Sequence, residues 1–249
     1  MTVVAAASVS NLSELWHEVV SAQPDAPRWL ILAAATAALA AVAYRPVWRV
    51  ARNAVTIAHE GGHAVAALAT GRRLSGIRLH ADTSGVTVSY GKPYGVGMVV
   101  TAVAGYLAPS LFGLAGAALL GTGHVTALLW ACVALLAVML LMLRNFYGLF
   151  AVLATGALVF AVSWFADPRV QAASAYAAVW FLLFGGVRPV FELQFQRRAG
   201  RAPDSDADQL AKLTRMPGWL WVALFMLVSL GCVLLGGHWL VPNAFHTAR

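Results

Sequence analysis

The sequence predicts an all-α polytopic membrane protein with about six to seven transmembrane helices and one small β-hairpin. Hydrophobic residues make up 60% of the 249-residue chain, charged residues make up only 11%, and the mean hydropathy is +0.74. A soluble domain averages about 45–50% apolar and about 25% charged residues. The apolar residues also form long runs that short polar segments separate. We therefore expect a single membrane domain over residues 1–249.

Seven apolar segments approach the length that crosses a bilayer, which is about 20 helical residues. Their approximate bounds are 29–44, 53–70, 95–120, 125–143, 149–165, 173–187 and 217–235. Pro46 predicts a break between the first two segments, because proline does not fit inside a regular helix. A mildly amphipathic N-terminal segment, 1–27, precedes them, and the longest hydrophilic stretch, 188–216, is expected to be a cytoplasmic loop.

One segment, 73–90, has the pattern of a β-hairpin rather than of a helix. Apolar and polar residues alternate on both sides of a turn formed by residues 82–85. One interpretation is an irregular loop beside the preceding helix. The other is a sheet edge that binds an extended peptide by adding a strand.

The basic residues indicate contact with membrane lipid rather than with nucleic acid. The formal net charge is +7, but the Lys and Arg residues cluster between apolar segments, as in loops at a lipid surface. Cytoplasmic loops are enriched in these residues, so we expect the loops at 71–93 and 188–215 to face the cytoplasm. With seven spans, the Arg144-Asn145 turn and the N-terminus would lie on that same side.

The second apolar segment contains the sequence His59-Glu60-Gly61-Gly62-His63. Residues i and i+4 share one face of a helix, so two histidines at this spacing can hold one zinc ion. Glu60 can act as the general base that takes a proton from water. Gly61 and Gly62 leave bare space that a substrate backbone can approach. The alternative is two histidines that pair with each other or with the backbone, but ionisable groups at membrane depth favour a functional site.

A third zinc ligand is missing from this motif, because catalytic zinc ions usually have three protein ligands. Asp206 and Asp208 are the candidates, and Asp206 is favoured. Both lie at the start of a short helix that Ser205 or Asp206 can cap, so their alternative role is to stabilise that helix end. Asn145 lies beside a membrane segment, where it can orient substrate or form a hydrogen bond near the metal. Its alternative role is simply to end a helix.

The chain resembles the M50B-like branch of the site-2 protease family from about residue 50 to residue 235. The resemblance is carried by HEGGH, by the glycine-rich hairpin and by three later segments, AVAGYLAPSLFG, LRNFYG and SDADQLAKLTRMP. It implies that His59 and His63 bind zinc and that Glu60 is the catalytic base. The implied reaction is hydrolysis of membrane-bound proteins within or near the membrane. The implied location is the bacterial plasma membrane, with lipid and a protein or peptide substrate as partners.

One departure from the family pattern concerns the third ligand. Classical site-2 proteases carry an aspartate in an L-D-G motif, whereas this chain has no L-D-G, and the corresponding segment 143–148 contains no aspartate. Either Asp206 or Asp208 has taken that role, or the site is incomplete. An incomplete site would leave a catalytically inactive membrane scaffold. A metal or proton transporter is a further alternative, which the absence of internal repeats disfavours.

Overall fold

The structure, a computed structural model, describes residues 16–17, 19–202 and 204–241. The elements, named in chain order, are α1 (Arg28–Ala43), α2 (Arg45–Ala69), β1 (Arg73–Leu79), β2 (Gly85–Tyr90), α3 (Val96–Gly121), α4 (Val125–Met142), α5 (Phe146–Phe165), α6 (Pro168–Arg198), α7 (Asp206–Thr214) and α8 (Gly218–Leu240). This order confirms the predicted class, a polytopic all-α membrane protein with one small hairpin. Residues 1–15 and 18 of the predicted N-terminal segment lie outside the described residues.

Helices α3, α4, α5, α6 and α8 are each long and apolar enough to cross a membrane. Helices α1 and α2 pass the same test only as a pair, and a bend of 103° separates them. The bend lies at Tyr44, whose backbone is extended, and Pro46 occupies the first turn of α2. A missing N–H breaks no helical hydrogen bond at that position. The helix that carries the histidines therefore begins at Arg45 rather than near residue 53.

The connections between helices define two ends of the bundle. The hairpin end carries β1–β2 and the α4–α5 and α6–α7 connections, and the opposite end carries the α3–α4 and α5–α6 connections. Before α1, the Gln23 N–H donates to the Gly123 carbonyl at the opposite end (2.8 Å). After α2, Thr70 packs beside Gly97 at the hairpin end. Helices α1 and α2 thus form one bent crossing, and the seven predicted segments make up to six spans.

Helices α3 and α6 approach closely in the middle of the bundle. A Cβ atom on Gly113 of α3 would lie 3.0 Å from the Leu183 main chain in α6. A Cβ atom on Gly186 of α6 would overlap the Ser110 hydroxyl in α3. Leu183 and Ser110 are fully buried. Small residues at a crossing let two backbones come together, which is the common way in which helices pack inside membranes.

Strands β1 and β2 pair antiparallel, with Ile77 opposite Thr87, as the alternating pattern predicts. The other edge of β1 is also engaged, because Ile77 forms a parallel bridge with Leu143 and its carbonyl accepts from the Arg144 N–H (2.9 Å). Strand β2 has no second strand partner among the described residues. The sheet therefore presents one free edge, which belongs to β2.

The stretch predicted to be a loop, 188–216, is largely helical. Helix α6 continues to Arg198, and the short helix predicted near residue 206 is present as α7. The continuation is possible because α6 keeps an apolar side, where Val190 and Leu193 pack against Ala207 and Leu210 of α7. The polar residues of this stretch thus cover a small apolar core, which docks α7 onto the bundle.

Candidate metal centre

Helix α2 brings His59 and His63 to one side, one turn apart, with their Nε2 atoms 3.1 Å from each other. The Nδ1 atom of His63 lies 2.7 Å from the Thr101 carbonyl in α3. Because a carbonyl only accepts, Nδ1 carries the proton and donates it, which leaves Nε2 as the ligand atom. A hydrogen bond of this kind fixes both the tautomer and the orientation of a metal-binding imidazole.

Gly105 of α3 provides the room that both imidazole rings need. A Cβ atom at this position would lie 2.7 Å from Nε2 of His59 and would overlap the ring of His63. The next residue, Tyr106, packs edge-on against His59, with the ring centroids 4.9 Å apart. Helix α3 is therefore the wall behind the histidine pair, and the lack of a side chain at residue 105 lets the rings reach it.

Asp206, the first residue of α7, completes the cluster. Its Oδ2 atom lies 3.3 Å from Nε2 of His59 and 3.3 Å from Nε2 of His63. Ligand atoms about 2.0–2.1 Å from a tetrahedral zinc ion are about 3.3 Å from one another, so the three atoms fit one face of such a site. Within the ranges that the structure describes, this is the only group of three His, Cys, Asp or Glu side chains that could hold a metal ion.

The surroundings of Asp206 favour its charged form. Helix α7 lies outside the candidate membrane spans. Burial alone would raise the pKa of the Asp206 carboxyl, but the His59 and His63 imidazoles beside it outweigh burial and hold this pKa below its ordinary value. A carboxylate and two imidazoles form a donor set that suits zinc.

Asp208, the other candidate for the third ligand, has different partners. It forms an ion pair with Arg197 of α6 and accepts a hydrogen bond from the Ser205 hydroxyl (2.6 Å). Ser205 caps α7 by accepting from the Asp208 N–H. The Arg197 guanidinium also fills the space above Gly218, where a Cβ atom would overlap it. Asp208 thus anchors the start of α7, while Asp206 faces the histidines.

Glu60 is buried beneath the hairpin, with 3% of its surface exposed. The Thr87 hydroxyl of β2 donates to its carboxylate (2.6 Å). A Cβ atom on Gly85 would lie 2.5 Å from its Oε1 atom. Strand β2 therefore lies directly over the carboxylate, and Gly85 makes that close approach possible.

The three predicted substrate-binding residues, Gly61, Gly62 and Asn145, have different surroundings in the structure. Gly61 has open space around it, since a Cβ atom there would meet nothing within 4 Å. Gly62 packs tightly against Ala108 of α3, so its missing side chain serves helix packing. The Asn145 amide donates to the Leu79 carbonyl (2.6 Å) and accepts from the Leu79 N–H (3.2 Å). Both polar atoms of Asn145 are therefore used to hold strand β1.

A cavity of about 340 Å³ opens beside His59 and Glu60. This volume lies in the range of ligand pockets, about 300–1,000 Å³. Four elements line the cavity with the following residues: Arg52, Val55, Thr56, His59 and Glu60 of α2, Asp82–Gly85 of the hairpin, Tyr106 and Pro109 of α3, and Gly186, Pro189 and Gln196 of α6. Hydrogen bonds from the side chain and main chain of Ser84 lower the pKa of Asp82, so the hairpin wall carries a negative charge.

The sequence did not identify four residues that shape this site, Gly85, Thr87, Thr101 and Gly105. They belong to elements that follow the histidine motif, and no local spacing connects them to it. A partial signal was present in β2, because residues 85 and 87 are two apart in a strand and share one face. Residues 101 and 105 gave no such signal. Helix α3 is apolar on all sides, so its sequence does not show which face packs against α2.

A family model described as Peptidase M50B-like matches residues 32–236, a range that includes the histidine motif, the hairpin and α7. No curated protein and no solved structure matches the chain.

Proposed function

The chain belongs to the M50B-like peptidase family, and on this basis we propose that it is a zinc-dependent intramembrane endopeptidase of the site-2 type. Its substrates are membrane-bound proteins. The observation that carries the proposal is the convergence of His59 and His63 from α2 with Asp206 from α7. A buried Glu60 and a cavity of about 340 Å³ lie beside this cluster.

In this proposal, His59, His63 and Asp206 hold the zinc ion, which matches the three protein ligands of catalytic zinc sites. A bound zinc ion polarises a scissile carbonyl and makes water more acidic. Glu60 takes the proton from the attacking water and gives it to the leaving amine. The hydrogen bond from Thr87 fixes one orientation of the Glu60 carboxylate for both transfers.

The substrate segment must be extended at this site, because the carbonyls of a helix are engaged in hydrogen bonds. We assign it to the free edge of β2, where unpaired main-chain groups can receive an added strand. The open space at Gly61 lies on the helix below. Asn145 acts indirectly, since it holds β1 through Leu79 and so supports the strand beside β2.

We further propose that the protein lies in the bacterial plasma membrane with its hairpin end toward the cytoplasm. The loops at the hairpin end, including 71–93 and 199–205, hold more Lys and Arg than the opposite end. Residues 22–27 then lie on the outer side, because α1 and α2 are one bent crossing. For residues 22–27 this proposal differs from the cytoplasmic N-terminal segment that seven separate spans had implied.

The substitution Glu60→Gln tests the chemistry. The amide keeps the size of the side chain and can still accept from Thr87, but it cannot take a proton. We expect peptide cleavage by the purified protein to fall by at least about 100-fold, while zinc content and melting temperature stay at wild-type values. Undiminished cleavage by the variant would remove Glu60 as the base.

The two alternatives give different results in the same preparations. An inactive scaffold would cleave nothing in the wild-type form and would retain less than about half an equivalent of zinc, because no complete ligand set would hold the ion. A transporter would move zinc into sealed vesicles, whereas a peptidase would not.

A further inference from the structure

Arg52 lies in the wall of the cavity, seven residues before His59 on α2. Seven residues are about two helical turns, so both side chains reach the same cavity. The Arg52 side chain is 32% exposed, and its guanidinium lies 5.8 Å from the centroid of the Trp48 ring. An ionisable side chain on the wall of a cavity in a membrane protein points to a functional role.

The charge around Arg52 is not balanced by its neighbours. Glu192 of α6 places Oε2 3.6 Å from the Arg52 guanidinium. Its Oε1 atom accepts from Nε of Arg188 (2.9 Å) and from the indole N–H of Trp48 (3.1 Å). Two guanidinium groups therefore share one carboxylate, and Arg188 makes the closer contact. Within this group of two guanidinium groups and one carboxylate, one positive charge remains in excess, and Arg52 carries it on the wall of the cavity.

The other carboxylates on the cavity wall have partners of their own. Glu60 accepts from Thr87, and Asp82 accepts from the Ser84 hydroxyl (2.7 Å) and the Ser84 N–H (2.9 Å). Glu60 belongs to the catalytic machinery, and Asp82 lies in the hairpin turn. No ion pair between either of them and Arg52 is found among the described residues.

We propose that Arg52 binds a carboxylate side chain of the substrate, so that the peptidase prefers an acidic residue near the cleaved bond. This inference rests on the proposed proteolytic function. Guanidinium and carboxylate groups form charge-assisted hydrogen bonds, which are strong where water is excluded. Seven helical residues rise about 10 Å, and an extended peptide advances about 3.3 Å per residue. The acidic residue is therefore expected about three residues from the cleaved bond.

The test digests a random mixture of synthetic 14-residue peptides with the purified, zinc-loaded full chain and identifies the cut sites by mass spectrometry. For the wild type we expect Asp and Glu to exceed Asn and Gln by about tenfold at one position, about three residues from the cut. Arg52→Gln removes this ratio, and Arg52→Glu reverses it in favour of Lys and Arg. Arg49→Gln is the matched control, since Arg49 is an exposed residue of the same helix that does not line the cavity.

Each outcome decides a different claim. Cleavage by the wild type without an acidic preference overturns the role of Arg52 and leaves the proteolytic function in place. A preference that survives in Arg52→Gln, or that disappears equally in Arg49→Gln, also overturns it. If Arg52→Glu does not fold beside Glu192, the Arg52→Gln ratio decides alone. If the wild type cuts no peptide, the proposed function fails, and this inference fails with it.

Discussion

At the scale of single residues, the site depends on glycines, which leave room for neighbouring groups, as well as on the histidines and carboxylates. The pair His59 and His63 could be predicted from spacing, because a helix fixes how residues four apart face each other. Gly105 and Gly85 could not be predicted, because each meets the motif from another element. Their role depends on which face of α3 and which register of the hairpin lie over α2, and both are set by tertiary packing.

Replacing Gly105 with Ala tests whether the bare helix face is required. Alanine favours a helix more than glycine does, but its Cβ atom would press on both imidazole rings. We expect zinc affinity, measured by competition with a fluorescent chelator, to fall by about 10- to 100-fold. Gly231→Ala in α8 is the control, because its Cβ atom would meet nothing within 4 Å. Unchanged zinc affinity in Gly105→Ala would contradict the close contact.

At the scale of elements, α7 delivers the third ligand. A helix of nine residues is marginal by itself, so its position depends on docking. The sequence favoured Asp206 but kept Asp208 as an alternative, because both stand at the helix start. A usable signal was nevertheless present, since Leu210 is apolar and lies four residues after Asp206. Residues at this spacing share a face, so the side of α7 that buries Leu210 also carries Asp206 toward the bundle.

Substitutions in and around α7 separate ligation from anchoring. Asp206→Asn removes a ligand, so we expect loss of nearly all bound zinc, measured by mass spectrometry of metals. Arg197→Ala breaks the ion pair with Asp208 and should weaken zinc binding by about tenfold, and Arg197→Lys should restore part of it. Asp204→Asn is the control, because the exposed carboxylate of Asp204 forms its only ion pair among the described residues with Lys212. Full zinc content in Asp206→Asn would contradict the role of Asp206 as a zinc ligand.

At the scale of the whole molecule, hydropathy located the apolar segments but not the bend between the first two. Helix α1 has 16 residues, which rise about 24 Å and fall short of the roughly 30 Å of a bilayer core. The length alone therefore indicated that the first segment does not cross the bilayer by itself. Pro46 indicated a break here, but the angle of 103° at Tyr44 depends on how α1 packs against α6, which no local pattern records.

Labelling of single cysteines from either side of the membrane tests the bent crossing. Ala22→Cys and Lys92→Cys, introduced after Cys132 and Cys232 are replaced by Ala, should react with a membrane-impermeant maleimide from opposite sides. The reason is that residue 22 lies beside Gly123 at one end of the bundle, while residue 92 follows the hairpin at the other. Labelling of both positions from one side would contradict the bent crossing and would indicate that α1 and α2 each cross the membrane.

The account depends most on a zinc ion held by His59, His63 and Asp206. X-ray absorption at the zinc edge, on Glu60→Gln protein purified without chelators, measures this directly. We expect about one zinc ion per chain, with only nitrogen and oxygen ligands at about 2.0–2.1 Å and scattering from two imidazole rings. A metal-free protein, or a zinc shell that lacks imidazole and does not change in Asp206→Asn, would contradict the account.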